Sequence, residues 1–122
     1  MALAGRCACG AVTFRLEGEP GFQMICKCRD CQRFSGTGHA ALVIAQRDQA
    51  TIEGELRFYP AEGGEGSRRG FCPECGSPIA NETPRNDTIW MFHAGAFDDP
   101  GFFAPEKTIF AESGYDWDST GP

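Results

Sequence analysis

Seven cysteines in a chain of 122 residues, crowded into three short clusters, constrain this protein more than any other feature. Cys7 and Cys9 form C-x-C, Cys26, Cys28 and Cys31 form C-x-C-x-x-C, and Cys72 and Cys75 form C-x-x-C. A disulfide framework needs an even count, an oxidising compartment and partners spread along the chain. Thiols two or three residues apart suit a metal ion instead, because one turn of backbone can then supply two ligands. A thioredoxin-like redox pair at Cys72 and Cys75 would sit in a β-α-β pattern, which is not visible around them. An iron–sulfur cluster stays open as an alternative, although C-x-C is not a familiar ferredoxin spacing.

Seven divides naturally as four plus three. A closed tetrahedral zinc site takes four thiolates, whereas a catalytic site keeps three protein ligands and leaves one position open. Pairing Cys7 and Cys9 with Cys72 and Cys75 ties the start of the chain to a distant knuckle and makes a structural site. Gly10 and Gly76 each follow the last thiol of a pair, where the backbone must turn tightly. Cys26, Cys28 and Cys31 then hold a second zinc with one place free, so two Zn2+ per chain are expected, the second more easily lost. Three thiolates make zinc a poor polariser of water but a workable acceptor for a soft ligand such as a substrate thiol. A thiol so bound has a lowered pKa and can attack a small aldehyde, giving a hemithioacetal. Cys26, Cys28 and Cys31 are thus the catalytic candidates, as open-site ligands.

Lys27, Arg29 and Arg33 surround this cluster in an otherwise acidic chain and are candidate contacts for an anionic substrate. They could equally offset the thiolate charge or lie in solvent. His39 is a candidate acid, base or occasional ligand, set against the reading of a hydrogen-bonded structural histidine. His93 alternates with aromatic residues in a strand pattern and reads as structural.

Composition points to short strands. Sixteen glycines and eight prolines leave little room for long helices, while 41% hydrophobic residues support one core, expected as a single domain over residues 1–122. Val12, Phe14 and Leu16 alternate on one strand face, Phe22 to Cys26 forms a second strand, and Arg29 to Phe34 makes one or two helical turns. Ala40 to Ala45 is an apolar run of strand length, and Ala50 to Glu53 with Glu55 to Tyr59 reads as a hairpin turning at Gly54. Pro60 to Gly66 reads as loop, followed by strands at Ser67 to Cys72, Ser77 to Glu82, Thr88 to Ala94 and Lys107 to Glu112. Ser113 to Pro122 is a polar tail with Tyr115 and Trp117 as anchors. A net charge of −6 disfavours nucleic acid and anionic membranes as partners. The sequence has no apolar run of membrane-spanning length and no secretory h-region at its N-terminus, which makes a cytoplasmic location the expectation. Oligomeric state is not legible.

The residues Gly5-x-Cys7-x-Cys9-Gly10-x-Val12-x-Phe14, Cys26-x-Cys28-x-x-Cys31-Gln32 and Phe71-Cys72-x-x-Cys75-Gly76, in this order, resemble the glutathione-dependent formaldehyde-activating (GFA) family. The resemblance implies a mainly β fold, a β-tent of short antiparallel sheets with little helix, stapled by zinc on Cys7, Cys9, Cys72 and Cys75. It also implies a second zinc on Cys26, Cys28 and Cys31, near which glutathione condenses with formaldehyde to an S-hydroxymethyl adduct, a carbon–sulfur lyase activity. Lys27 stands where many members carry histidine, as does Thr108 in the late motif. An alternative of another class is a noncatalytic β module in which zinc supports a surface for another protein. Sulfoxide reduction on a related scaffold would need a cysteine outside the metal set, and the division leaves none spare.

Overall fold

The computed structural model describes residues 2–60 and 66–122. Among these residues the elements are β1 (Ala2–Arg6), β2 (Thr13–Glu17), β3 (Gln23–Cys26), α1 (Arg29–Ser35), β4 (Ala40–Gln46), β5 (Ala50–Glu53), β6 (Arg57–Tyr59), β7 (Arg68–Phe71), β8 (Pro78–Thr83), β9 (Asn86–His93) and β10 (Lys107–Ile109), with short 3-10 turns between some of them. They form a three-stranded sheet in the order β1-β2-β5 and a seven-stranded sheet in the order β10-β3-β4-β9-β8-β7-β6. The strand pairings are antiparallel apart from β10 with β3, which run parallel. The fold is mainly β, as the sequence pattern requires.

The apolar run in β4 explains the arrangement of layers. A strand covered on both faces cannot alternate, and β4 lies inside the larger sheet between β3 and β9. Val43 and Ala45 point to the side of the small sheet, where they join Phe14, Leu16, Phe92 and Phe97 in the main core. Ala40 and Leu42 point the other way, into a second apolar cluster with Cys26, Cys31 and Met91. The main core is aromatic: Phe14 stacks on Phe92 with centroids 4.6 Å apart, and Phe97 meets Phe14 edge-on at 5.0 Å.

Helix α1 is short but well bounded. Cys28 serves as its N-cap, with its sulfur accepting from the Cys31 amide at 3.3 Å, and Gly36 ends it at φ 79° while donating to the Gln32 carbonyl at 2.9 Å. Phe34, on the same face as Cys31, packs against Phe71 at 6.2 Å and His93 at 5.5 Å, so the helix lies across β9 and β7 on the face away from the small sheet.

Several sequence expectations need correction. Ala2–Arg6, for which the sequence offered no reading of secondary structure, is a strand paired with β2. The hairpin expected at Gly54 does not form: β5 pairs with β2 in the small sheet, whereas β6 pairs with β7 in the large one, so the chain changes sheets there. The last strand is only Lys107–Ile109, because Phe110 turns into the left-handed region at φ 54°. Trp117 does not anchor the tail: it is exposed and stacks on Tyr115 at 5.4 Å, whereas Tyr115, though exposed, holds the tail to α1 by accepting from Arg29 at its hydroxyl, 2.9 Å away. Asp118 is a second anchor that the sequence did not suggest, buried with its carboxylate 2.8 Å from His39 Nδ1. The His39 hydrogen bond holds that carboxyl down to about 2. Of the expected loop from Pro60 to Gly66, residues 61–65 lie outside the described residues.

Phe92 has no exposed surface and joins the stacked ring cluster. Phe92→Ala should therefore destabilise the protein by about 3–5 kcal/mol in denaturant titration of the zinc-loaded chain, the range for deleting a buried aromatic side chain.

Candidate functional site

Two hairpin turns, one in each sheet, carry the first thiol cluster. After β1 the Cys7 amide donates to the Val12 carbonyl at 3.0 Å and the Val12 amide donates to Cys7 Sγ at 3.2 Å. After β7 the Cys72 amide donates to the Ser77 carbonyl at 3.0 Å and the Gly76 amide to the Cys72 carbonyl at 2.8 Å. Gly10 and Gly76 take φ values of 83° and 79°, which a side chain would strain, so each knuckle closes at a residue free to do so. The knuckles also touch directly, through the Ala8 amide donating to Ser77 Oγ at 2.9 Å.

The geometry fits a tetrahedral ion. The Sγ atoms of Cys7, Cys9, Cys72 and Cys75 all lie within 4.8 Å of one another, with Cys7 to Cys9 at 3.6 Å and Cys9 to Cys72 at 3.8 Å. Four sulfurs at a zinc distance of about 2.3 Å sit about 3.8 Å apart along the tetrahedron edges. Cys7 and Cys72 are buried and Cys9 and Cys75 exposed, so an ion here lies at the rim of the core. Ser77, whose hydroxyl lies 3.1 Å from Cys75 Sγ, holds that thiol down to about 5, the charge state a metal ligand needs.

Cys26, Cys28 and Cys31 make the second cluster, their sulfurs likewise within 4.8 Å of one another. Cys26 ends β3, Cys28 caps α1 and Cys31 sits in its first turn, so a strand end and a helix start converge on one point. Cys26 and Cys31 Sγ are 3.3 Å apart. That contact lowers the Cys31 thiol to about 6 against the cost of its burial, with Arg69 assisting, and raises Cys26. Arg69 reaches the cluster from β7, its Nη2 donating to Cys31 Sγ at 3.7 Å while Nη1 donates to the Ser67 carbonyl at 3.1 Å. Its Nε is buried without a partner among the described residues.

No fourth His, Cys, Asp or Glu joins this group among the described residues, and the three thiols face a cavity of about 460 Å3. Arg69 and Arg85 line it together with Asp30, Asn81 and Thr83 and several apolar side chains. A closed and an open thiolate cluster therefore coexist, each with the donor chemistry of zinc.

The four flanking candidates make other contacts, and Arg33 alone borders the open cavity. Lys27 is buried and its Nζ donates to the Asp118 carbonyl at 3.0 Å. Arg29 donates to Gln32 and to the Tyr115 hydroxyl, and Arg33 lines, with Phe34 and Tyr59, a cavity that adjoins the one at the thiols and shares Asp30, Ser67 and Arg69 with it. His39 is held by Asp118 and lines a third cavity beside Cys7 and His93. None of the four lines the cavity at the three thiols. Arg69 does, and sequence reasoning missed it. Its only local signal was its position three residues before Cys72; what brings it to Cys31 is the packing of Phe34 on Phe71, which aligns the i and i+3 face of α1 with alternate residues of β7.

These features define a protein of mainly β architecture with two cysteine clusters that could each hold a metal ion. The family model described as glutathione-dependent formaldehyde-activating enzyme matches residues 2–113, and the chain belongs to that family. A crystal structure of a Rhodobacter sphaeroides protein has the same fold, with a TM-score of 0.66 at 20% identity, covering 87% of this chain and 99% of that one. No curated protein matches the sequence. Among the described residues no helix is long and apolar enough to cross a membrane.

Two predictions follow from the geometry. Zinc-loaded protein should contain two metals per chain by elemental analysis; Cys28→Ser should retain one and stay folded, whereas Cys72→Ser should lose cooperative unfolding. His93, buried against Asn81 Oδ1 at 3.0 Å, is held down to about 4 by burial and then by the charge of Arg69. The unfolded chain therefore takes up a proton at a histidine's ordinary pKa before the folded chain does. Stability should fall as pH drops from about 6.5 towards 4, by up to about 3 kcal/mol, and the pH dependence of the difference between wild type and His93→Gln in urea titrations should show this contribution.

Proposed function

We propose that this protein is a zinc-dependent enzyme of the carbon–sulfur lyase type, which joins a small thiol, glutathione, to formaldehyde or a related aldehyde as an S-hydroxymethyl adduct. The observation that carries the reading is the contrast between the two clusters: four thiols close on one another, while three open onto a cavity next to a guanidinium. In this reading residues 1–122 act as one domain, with structural zinc on Cys7, Cys9, Cys72 and Cys75 and the working zinc on Cys26, Cys28 and Cys31. The reduced thiols on which it depends fit a cytoplasmic setting.

A zinc ion on Cys26, Cys28 and Cys31 would supply one open coordination position and favour the thiolate form of a thiol placed there. The reaction itself is an addition without redox change. The thiol loses its proton, its sulfur forms a bond to the carbonyl carbon, the carbonyl π pair moves to oxygen, and oxygen takes up a proton.

The chain contributes charge and exclusion of water. Three thiolates crowded at one point favour protonation of each other, and Arg69 opposes this by placing a positive charge and an N–H donor on Cys31. Burial of Cys26 and Cys31 keeps solvent from the side of the cluster that faces the second apolar core, so approach is from the cavity. Arg69 and Arg85 give that cavity two cations, which suits the carboxylates of a glutathione-like thiol, and Asp30 supplies a partner for an ammonium.

Exchange NMR of glutathione with formaldehyde tests the reading. Zinc-loaded protein should accelerate adduct formation above the spontaneous rate, and Cys28→Ser should abolish the acceleration. Arg69→Gln should reduce acceleration or second-site metal affinity about 10- to 100-fold, the range for removing a hydrogen-bond partner of a metal ligand. A cobalt-substituted protein whose spectrum does not respond to glutathione, together with no acceleration, would return the protein to the class of binding modules.

A further inference from the structure

Formaldehyde has no carbon chain, and glutathione offers mainly charged and amide groups, yet one wall of the open cavity is apolar. Met24, Leu42, Met91, Ile109 and Phe110 all line it. The register places this wall against the thiols: Ile109 is the strand partner of Cys26, while Met24 lies two residues before Cys26 on β3 and pairs with Leu42 on β4. Leu42 and Met91 are buried and form the floor of this wall, while Met24, Ile109 and Phe110 are the more exposed side chains that a carbon chain bound beside the thiols would meet.

Phe110 adds an independent observation. It is the only residue other than glycine with a positive φ among those described, at φ 54° and ψ 37°. A bulky side chain in this region is strained, and such strain tends to occur at functional positions. Burial does not account for it, because Phe110 is 54% exposed while still lining the cavity. The strained turn places an aromatic ring at the cavity mouth.

We propose that this cavity takes an aldehyde bearing a short apolar chain, seated on Met24, Leu42, Met91, Ile109 and Phe110, with its carbonyl carbon directed to the thiol sulfur. The proposal rests on the thiol–aldehyde reading and sharpens its substrate class. The product is an S-(1-hydroxyalkyl) thioether: the sulfur–carbon bond forms, the carbonyl π pair becomes an oxygen lone pair, and the proton lost by the thiol is balanced by the one gained at oxygen. Each methylene removed from water in such a pocket corresponds to about a fourfold gain in binding.

The experiment compares zinc-loaded protein with formaldehyde and pentanal, each as the ratio of catalysed to spontaneous adduct formation with glutathione. The expected ratio for pentanal exceeds that for formaldehyde by at least about tenfold, consistent with several methylenes at that increment. Phe110→Gly, which relieves the backbone strain, should keep or raise thermal stability while lowering the preference for pentanal at least about threefold. A third readout needs no turnover. Two of the chain's three methionines line the cavity, so methyl-labelled methionine NMR should show Met24 and Met91 shifting with pentanamide, an unreactive analogue of pentanal. Equal or greater acceleration with formaldehyde overturns the proposal and leaves the thiol–aldehyde reading standing. No acceleration with either aldehyde removes that reading and the proposal with it. Methionine methyls unmoved by pentanamide overturn the apolar subsite whatever the activity, and an unchanged preference in Phe110→Gly overturns the place given to that ring.

Discussion

The convergence of Cys7, Cys9, Cys72 and Cys75 is the contact on which the rest depends. It joins a turn of the three-stranded sheet to a turn of the seven-stranded sheet, and so brings together two layers that are otherwise held mainly by one aromatic core. Zinc bound by comparable thiolate sets in small peptides contributes about 10–16 kcal/mol, against about 5–15 kcal/mol of net stability for a whole domain. A zinc ion held by these four thiols would supply a contribution of that size, enough to decide whether a chain this short keeps its layers together.

With the small sheet fixed on one face, the seven-stranded sheet has a second face to use. There the short helix α1 packs through Phe34 on Phe71 and His93, and the strand end at Cys26 meets the helix start at Cys28. The same face carries Met24, Leu42 and Met91 beside the three thiols. The closed cluster thus belongs to the main core between the sheets and the open one to the second apolar cluster.

Charge at the open cluster comes from across the fold. The basic residues nearest in sequence serve other contacts: Lys27 holds the Asp118 carbonyl and Arg29 the Tyr115 hydroxyl, which fastens the C-terminal segment along α1. Gln32 supports that fastening, donating to the carbonyls of Lys27 and Ser113. The cation that touches the thiols is Arg69, separated from Cys31 by thirty-eight positions in sequence. A guanidinium suits this place because its several donors can satisfy Ser67 and Cys31 together.

By itself the sequence determined the division of seven thiols into four and three, the strand at Val12 to Leu16 and the apolar strand at Ala40 to Ala45. These follow from short-range rules: ligand spacing within a turn, and side chains that alternate or do not according to the faces a strand buries. Only the tertiary structure decided that β5 and β6 part at Gly54 to join different sheets, that Asp118 rather than Trp117 joins Tyr115 in holding the tail, and that Arg69 stands at the open cluster. Each of those depends on which strands pair and how α1 is seated, and pairing energies are set by long-range packing that no local window of residues contains.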